Sequence, residues 1–167
     1  KREGYHTLSC DQIVNELYQK PKVKKLIKKM FPSGVSGRFR LVLDKKEIAR
    51  LTFNDKDKHA QLTSTITPLV LEQIKKRTKK LEGLVFVEVP LLFECNYQNE
   101  FDQVLVIMRD KKARINSVIN RSNLTEQQVI DRMNRQVDYD KLDLSNYITV
   151  NNDGDFNNFE QLILDQA

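Results

Sequence analysis

The chain has 167 residues, of which 40% are hydrophobic and 31% charged, with a formal net charge of +5. A chain of this size buries roughly 70% of the surface that its unfolded form exposes, so one domain without staples is expected and a disordered chain is excluded. No apolar run approaches a transmembrane helix, no apolar signal segment follows the polar start, and Cys10 and Cys95 lack the spacing of a disulfide framework or zinc site.

In chain order, Gly4 to Cys10 predicts a short strand. Asp11 follows at once and is expected to cap a helix running to Tyr18, with Ile13, Val14, Leu17 and Tyr18 on its apolar face. Pro21 opens a second helix, whose stripe is Val23, Leu26, Ile27, Met30 and Phe31. Lys22, Lys24, Lys25, Lys28 and Lys29 fill its other face and read as a solvated surface, as does the cluster from Lys75 to Lys80. A loop follows over Pro32 to Gly37. Asp44 is expected to cap a helix over Lys45 to Leu51, and Asn54 the next one. Thr67-Pro68 reads as a fresh cap and first-turn proline, with helix to about Lys80.

Leu84 to Val89, apolar apart from Glu88, reads as a strand buried on both faces. Val104 to Met108 and Tyr147 to Val150 read in the same way. Two helices lie between the last two strands. Asp110 caps the first, with Ile115, Val118 and Ile119 inward. Thr125 and Gln128 form a capping box for the second, whose inward stripe is Val129, Ile130, Met133 and Val137. Phe156 to Leu164 is expected to be a final helix. Buried strands alternating with helices predict an α/β fold with a parallel sheet flanked by helices.

Ligands of such sheets bind beyond the carboxyl ends of the strands. Asp11, the run Pro90 to Glu94, and Asn152 to Gly154 follow three such ends. The helix pair after Asp110 is rich in arginine: Arg109, Arg114, Arg121, Arg132 and Arg135 lie in or beside it. Arg114 and Arg121 share a helix face, as do Arg132 and Gln136. Arg121 and Arg132 are read as flanking the turn between the helices, placed to converge on one anion. Arginines on a helical hairpin suit phosphoryl transfer, which needs positive charge around the transferred group. His6 and His59 have no partner in the sequence and receive no chemistry.

The run LVFVEVPLLFE, Leu84 to Glu94, closely resembles the signature of dephospho-coenzyme A kinases. Further matches follow in register over essentially the whole chain. Ser9-Cys10-Asp11 stands where that family has Asp-Ala-Asp, Leu43-Asp44-Lys45 where it has Leu-Asp-Arg, and Thr67-Pro68 where it has His-Pro. Phe53-Asn54-Asp55 stands for its Phe-x-Asp element; Arg121, Arg132 and Gln136 match the lid pattern, and Asn152-Asp153-Gly154 the closing Asn-x-Gly.

The resemblance implies a P-loop NTPase-like domain over residues 1–167, with a helical substrate region at about 21–81 and a lid at about 110–137. It implies transfer of the ATP γ-phosphate to the 3′-hydroxyl of dephospho-CoA, with Mg2+ carried by the ATP phosphates and no tightly bound cofactor. Asp11 is then the general base and Arg121 a catalytic cation. Asp44, Lys45, Val89, Pro90, Leu91, Leu92, Phe93 and Glu94 are the expected acceptor-side residues. Arg114, Arg121, Arg132, Gln136, Asn152 and Gly154 are the expected ATP-side residues. The expected protein is cytoplasmic, a monomer or weak homo-oligomer, without nucleic-acid or membrane partners.

Ser9 replaces an aspartate of the pattern and Thr67 a histidine, while Lys45 keeps the charge of an arginine without its bidentate geometry. No GxxxxGK(S/T) phosphate loop occurs in the sequence. The family places it before the first strand seen here, so an N-terminal strand, loop and helix of roughly 25 residues is expected in the working protein, and residues 1–167 alone are expected to be inactive. The other readings are a non-catalytic nucleotide- or CoA-binding remnant, another nucleoside monophosphate-type kinase, and a nucleic-acid-binding domain built on the basic helices. Without tryptophan or interleaved aromatics, the last is the least supported.

Overall fold

The computed structural model describes residues 5–154 apart from 54, 123 and 135, together with residue 163. The expectations for Asn54, Arg135 and the Phe156–Leu164 helix lie outside the described residues. The chain divides into two compact units, Lys1–Pro90 and Leu91–Ala167.

In the first unit, β1 (His6–Ser9) passes directly into α1 (Cys10–Leu17). Ser9 takes the cap position with extended dihedrals, φ −119° and ψ 128°, and makes no side-chain cap bond. The helix therefore starts two residues earlier than expected, and Asp11 sits in its first turn instead of capping it. What draws the chain inward at that point is Cys10, which is buried together with Ile13 and Leu17. Next comes α2 (Pro21–Met30), opened by its proline and burying Val23 and Ile27. The predicted loop after it holds a short 3-10 turn, Pro32–Gly34, and a two-residue strand, β2 (Val35–Ser36), which pairs antiparallel with β3 (Val42–Leu43). Gly37 turns this hairpin at φ +88°, where any Cβ would collide with the Arg40 carbonyl.

Helix α3 (Lys45–Phe53) is capped by Asp44 as expected: its Oδ1 accepts from the Lys46 and Glu47 amides at 3.0 and 3.1 Å. Helix α4 (Lys56–Thr78) is capped by Asp55, which accepts from the Lys58 amide at 3.0 Å. It continues through Pro68, so Thr67-Pro68 is not a new helix start. A proline inside a helix costs about 3 kcal/mol. Ile66, Val70 and Ile74 lie on one stripe of α4 and are all buried; at about 1.5–3 kcal/mol each, their burial outweighs the proline. Helix α4 packs on α1, α2 and α3, and Arg77 ion-pairs with Glu16 of α1. That guanidinium, donating to the carboxylate, holds Glu16 below the usual carboxylate pKa.

Strand β4 (Val85–Glu88) runs parallel to β1, in register from His6 against Val85 to Ser9 against Glu88. The carboxyl ends of both strands therefore lie at one edge, with Asp11 following one and Val89-Pro90 the other. Ile27 of α2 is fully buried. Ile27→Ala is expected to lower unfolding free energy by about 2–5 kcal/mol, read as a lower urea midpoint at unchanged slope.

In the second unit, β5 (Leu105–Met108) and β6 (Ile148–Asn151) form another parallel pair, in register from Leu105–Ile148 to Met108–Asn151. Between them lie α5 (Lys111–Ser122) and α6 (Glu126–Met133), packed on each other. The expected capping box is present: Thr125 Oγ1 accepts from the Gln128 amide and Gln128 Oε1 from the Thr125 amide. Val129 is buried and Ile130 and Met133 half-buried, but α6 ends at Met133, so Val137 is not part of its stripe. The strands are less covered than expected: Val85 to Val87 are half-buried and Ile107 is 52% exposed. Among the described residues each parallel sheet has only two strands, so each strand keeps an unpaired edge.

Candidate active site

Asp11 is exposed, two residues beyond the end of β1. Near the same helix, Lys45 Nζ donates to Asn15 Oδ1 at 2.5 Å, which draws the start of α3 onto α1. Asp44 and Lys45 are thus engaged in the fold, one as a cap and the other through Asn15, and both remain exposed.

Val89 and Pro90 close the first unit, half-buried and exposed respectively. Leu91 to Glu94 opens the second. There the Cys95 amide donates to the Leu91 carbonyl at 3.1 Å, Asn96 to Phe93 at 3.1 Å and Tyr97 to Leu92 at 3.0 Å. The last two bonds are the paired closure of a helical turn, and Asn96 sits in the left-handed region at φ 54° as that closure requires. Asn96 was missed in the sequence, although asparagine after an apolar turn is a signal for it. Within this turn Leu92 is buried. Phe93 packs edge-on against Tyr139 and Tyr147, with ring centroids 5.7 and 5.3 Å apart. Glu94 Oε1 accepts from the Val137 amide at 3.2 Å. Of the six residues from Val89, then, Leu92 is buried, Pro90 is exposed and the other four are half-buried, with the Phe93 ring and the Glu94 carboxylate engaged by Tyr139, Tyr147 and the Val137 amide.

At the carboxyl ends of β5 and β6, the Asn152 amide donates to the Met108 carbonyl at 2.7 Å and the Asp110 amide donates to Asp153 Oδ1 at 2.8 Å. Asp110 also caps α5 by accepting from the Ala113 amide at 2.9 Å. The Asn152-Asp153-Gly154 turn is therefore fastened to the start of α5. Asp153, which carries that bond, was not singled out in the sequence.

Arg114 is half-buried, and its Nη2 contacts both Asp140 carboxylate oxygens at 3.0–3.1 Å. Arg121 is exposed in the last turn of α5. Arg132 is exposed in the last turn of α6, six residues after Glu126 and hence about 9 Å along the axis from the start of that helix. Arg121 borders the turn between the helices and Arg132 does not, contrary to expectation, because α6 begins only at Glu126. Gln136 is exposed just past α6, its amide donating to the Met133 carbonyl at 3.0 Å. Among the described residues no cluster of three His, Cys, Asp or Glu side chains is placed to hold a metal ion. Nor is any helix among them long and apolar enough to cross a membrane.

Parallel strand pairs flanked by helices, with polar turns at their carboxyl ends and an arginine-bearing helix pair between two strands, make an α/β fold of the class that takes ligands at its strand ends. The family is then specific: a model described as dephospho-CoA kinase matches residues 1–158, and the chain belongs to that family. A dephospho-CoA kinase of Thermus thermophilus is 29% identical over 135 residues, covering 80% of this chain and 64% of the relative. That of Enterococcus faecalis is 29% identical over 143 residues, covering 81% and 70%. The crystal structure of TT1252 from Thermus thermophilus superposes with a TM-score of 0.80 at 26% identity, covering 99% of this chain and 86% of that one. The chain spans less than two thirds of the length of the Thermus thermophilus kinase that it matches in sequence.

Proposed function

We propose that the protein is a dephospho-CoA kinase, transferring the ATP γ-phosphate to the 3′-hydroxyl of dephospho-CoA. The observation that carries this reading is the family match over residues 1–158. It is supported by the strand-end positions of Asp11, Val89-Pro90 and Asn152 to Gly154. In this reading Asp11 orients the acceptor hydroxyl and takes its proton. An exposed carboxylate in the first turn of a helix is accessible to substrate. Val89, Pro90 and Leu91 offer the acceptor an apolar surface, with Asp44 and Lys45 at the start of α3 as the polar contribution.

Arg121 and Arg132 bind the ATP phosphates and balance the charge that develops in transfer. Gln136 assists them, and Asn152 and Gly154 lie on the adenine side. Arg114 is held by Asp140 and acts through the placement of α5. Residues 21–81 supply the helical acceptor region and 110–137 the lid. Mg2+ arrives with ATP as part of the substrate. Phosphate binding also requires a glycine-rich loop that residues 1–167 do not contain, so this stretch alone is expected to bind ATP poorly and not to turn over. A cytoplasmic location fits these soluble substrates.

The test is coupled ADP release by the full-length protein with dephospho-CoA, AMP, UMP and pantetheine phosphate as rival acceptors. Turnover with dephospho-CoA in clear excess over the others is expected. Turnover with AMP alone would reassign the acceptor, and none with any of them would leave a non-catalytic nucleotide- or CoA-binding protein.

A further inference from the structure

We infer that Glu94 is a positioning residue: it fixes the segment through which the chain leaves the arginine-bearing helix pair, and does not contact the acceptor. This rests on the kinase reading above.

Four residues after the end of α6, the Val137 amide donates to Glu94 Oε1 at 3.2 Å. Two residues on, the Tyr139 ring packs edge-on against Phe93. The next residue, Asp140, pairs with Arg114 of α5. Three consecutive anchors thus hold residues 137–140, two of them from the turn at Phe93-Glu94 and one from α5. That turn is itself closed by the Asn96 and Tyr97 amides, which donate to the Phe93 and Leu92 carbonyls. Burial, with the Glu94 carboxylate adding to it, raises the Tyr139 phenol above its usual pKa.

Glu94 Oε2 is also buried and has no hydrogen-bond partner among the described residues. A buried carboxylate oxygen left unpaired is destabilising. Only one oxygen is used, and its partner is a backbone amide, so what the site requires is an acceptor at that point. A carboxamide also supplies one. A negative charge delivered to substrate would instead require the carboxylate itself. Because the anchored segment follows the helix carrying Arg132, its loss displaces the ATP-side arginines and leaves Asp11, Val89 and Pro90 where they are.

The experiment compares Glu94→Gln and Glu94→Ala in the full-length enzyme, together with hydrogen exchange of the Val137 amide. Glu94→Ala is expected to raise KM for ATP by about 10-fold or more, with KM for dephospho-CoA within about twofold, and to speed Val137 exchange by about 10-fold or more. Glu94→Gln is expected to stay within about 3-fold of the parent in all three. Equal losses in both variants, a KM change confined to dephospho-CoA, or unchanged Val137 exchange in Glu94→Ala would overturn the inference. Should Glu94→Ala not fold, Glu94→Gln still decides: near-parental KM for ATP with a protected Val137 amide supports positioning, and loss of either refutes it. If the parent does not turn over at all, the kinase reading fails, and Val137 exchange still reports on the anchor.

Discussion

Asp11→Asn is expected to lower kcat of the full-length enzyme by about 10²–10⁴-fold, the usual contribution of a positioned general base. The substitution keeps the size of the side chain and removes only its capacity to accept the proton. Its structural effect is expected to be small. Asp11 is exposed and is not the cap of α1; Ser9 is. What folding loses is the favourable charge at the amino end of the helix, about 0.3–1 kcal/mol. A large kinetic effect with a small shift in the urea midpoint therefore separates catalysis from capping. Unchanged kcat in Asp11→Asn would remove Asp11 from the mechanism.

Arg121→Ala is expected to lower kcat by about 10³-fold, the lower end of what a transition-state arginine supplies in phosphoryl transfer. Arg121 is exposed in the last turn of α5, where its charge also favours the carboxyl end of the helix, so the fold is expected to lose less than about 1 kcal/mol. Arg121→Lys keeps the charge without the planar fork and is expected to recover only part of the rate. Steady-state kinetics against ATP, with circular dichroism to confirm the helix content, measure this. If Arg121→Ala and the parent have equal kcat, the arginine does not stabilise the transferred phosphate.

What could be read from the sequence was what depends on residues close together in it. The caps at Asp44, Asp110 and Thr125 are side chains bonding to backbone two or three residues on, and each forms as expected. The proline start of α2 and its buried stripe at Val23 and Ile27 are equally local. Failures came where tertiary contacts outweigh a local signal. Pro68 is a strong local breaker, yet burial of Ile66, Val70 and Ile74 carries α4 through it. Cys10, buried beside Ile13 and Leu17, brings the start of α1 ahead of Asp11. The β2–β3 hairpin has two residues in each strand, too short for an alternating pattern to register.

The same division applies to the candidate site. Strand-end residues such as Asp11 and Asn152 were legible because strands and their exits are local features. The pairings that decide how each side chain is used join distant positions: Lys45 with Asn15, Arg114 with Asp140, Asp153 with the Asp110 amide, and Glu94 with the Val137 amide. No periodicity or motif carries that information. It is what shows Leu92 buried in the turn, and Phe93 and Glu94 engaged by Tyr139, Tyr147 and the Val137 amide.

The most direct measurement is the structure of the product that the full-length protein makes from ATP and dephospho-CoA, by mass spectrometry and 31P NMR. The expected product is CoA, with the new phosphomonoester on the ribose 3′-hydroxyl and ADP released in equal amount. A phosphate placed anywhere else on the acceptor, or ADP release with dephospho-CoA left unchanged, would contradict the assignment.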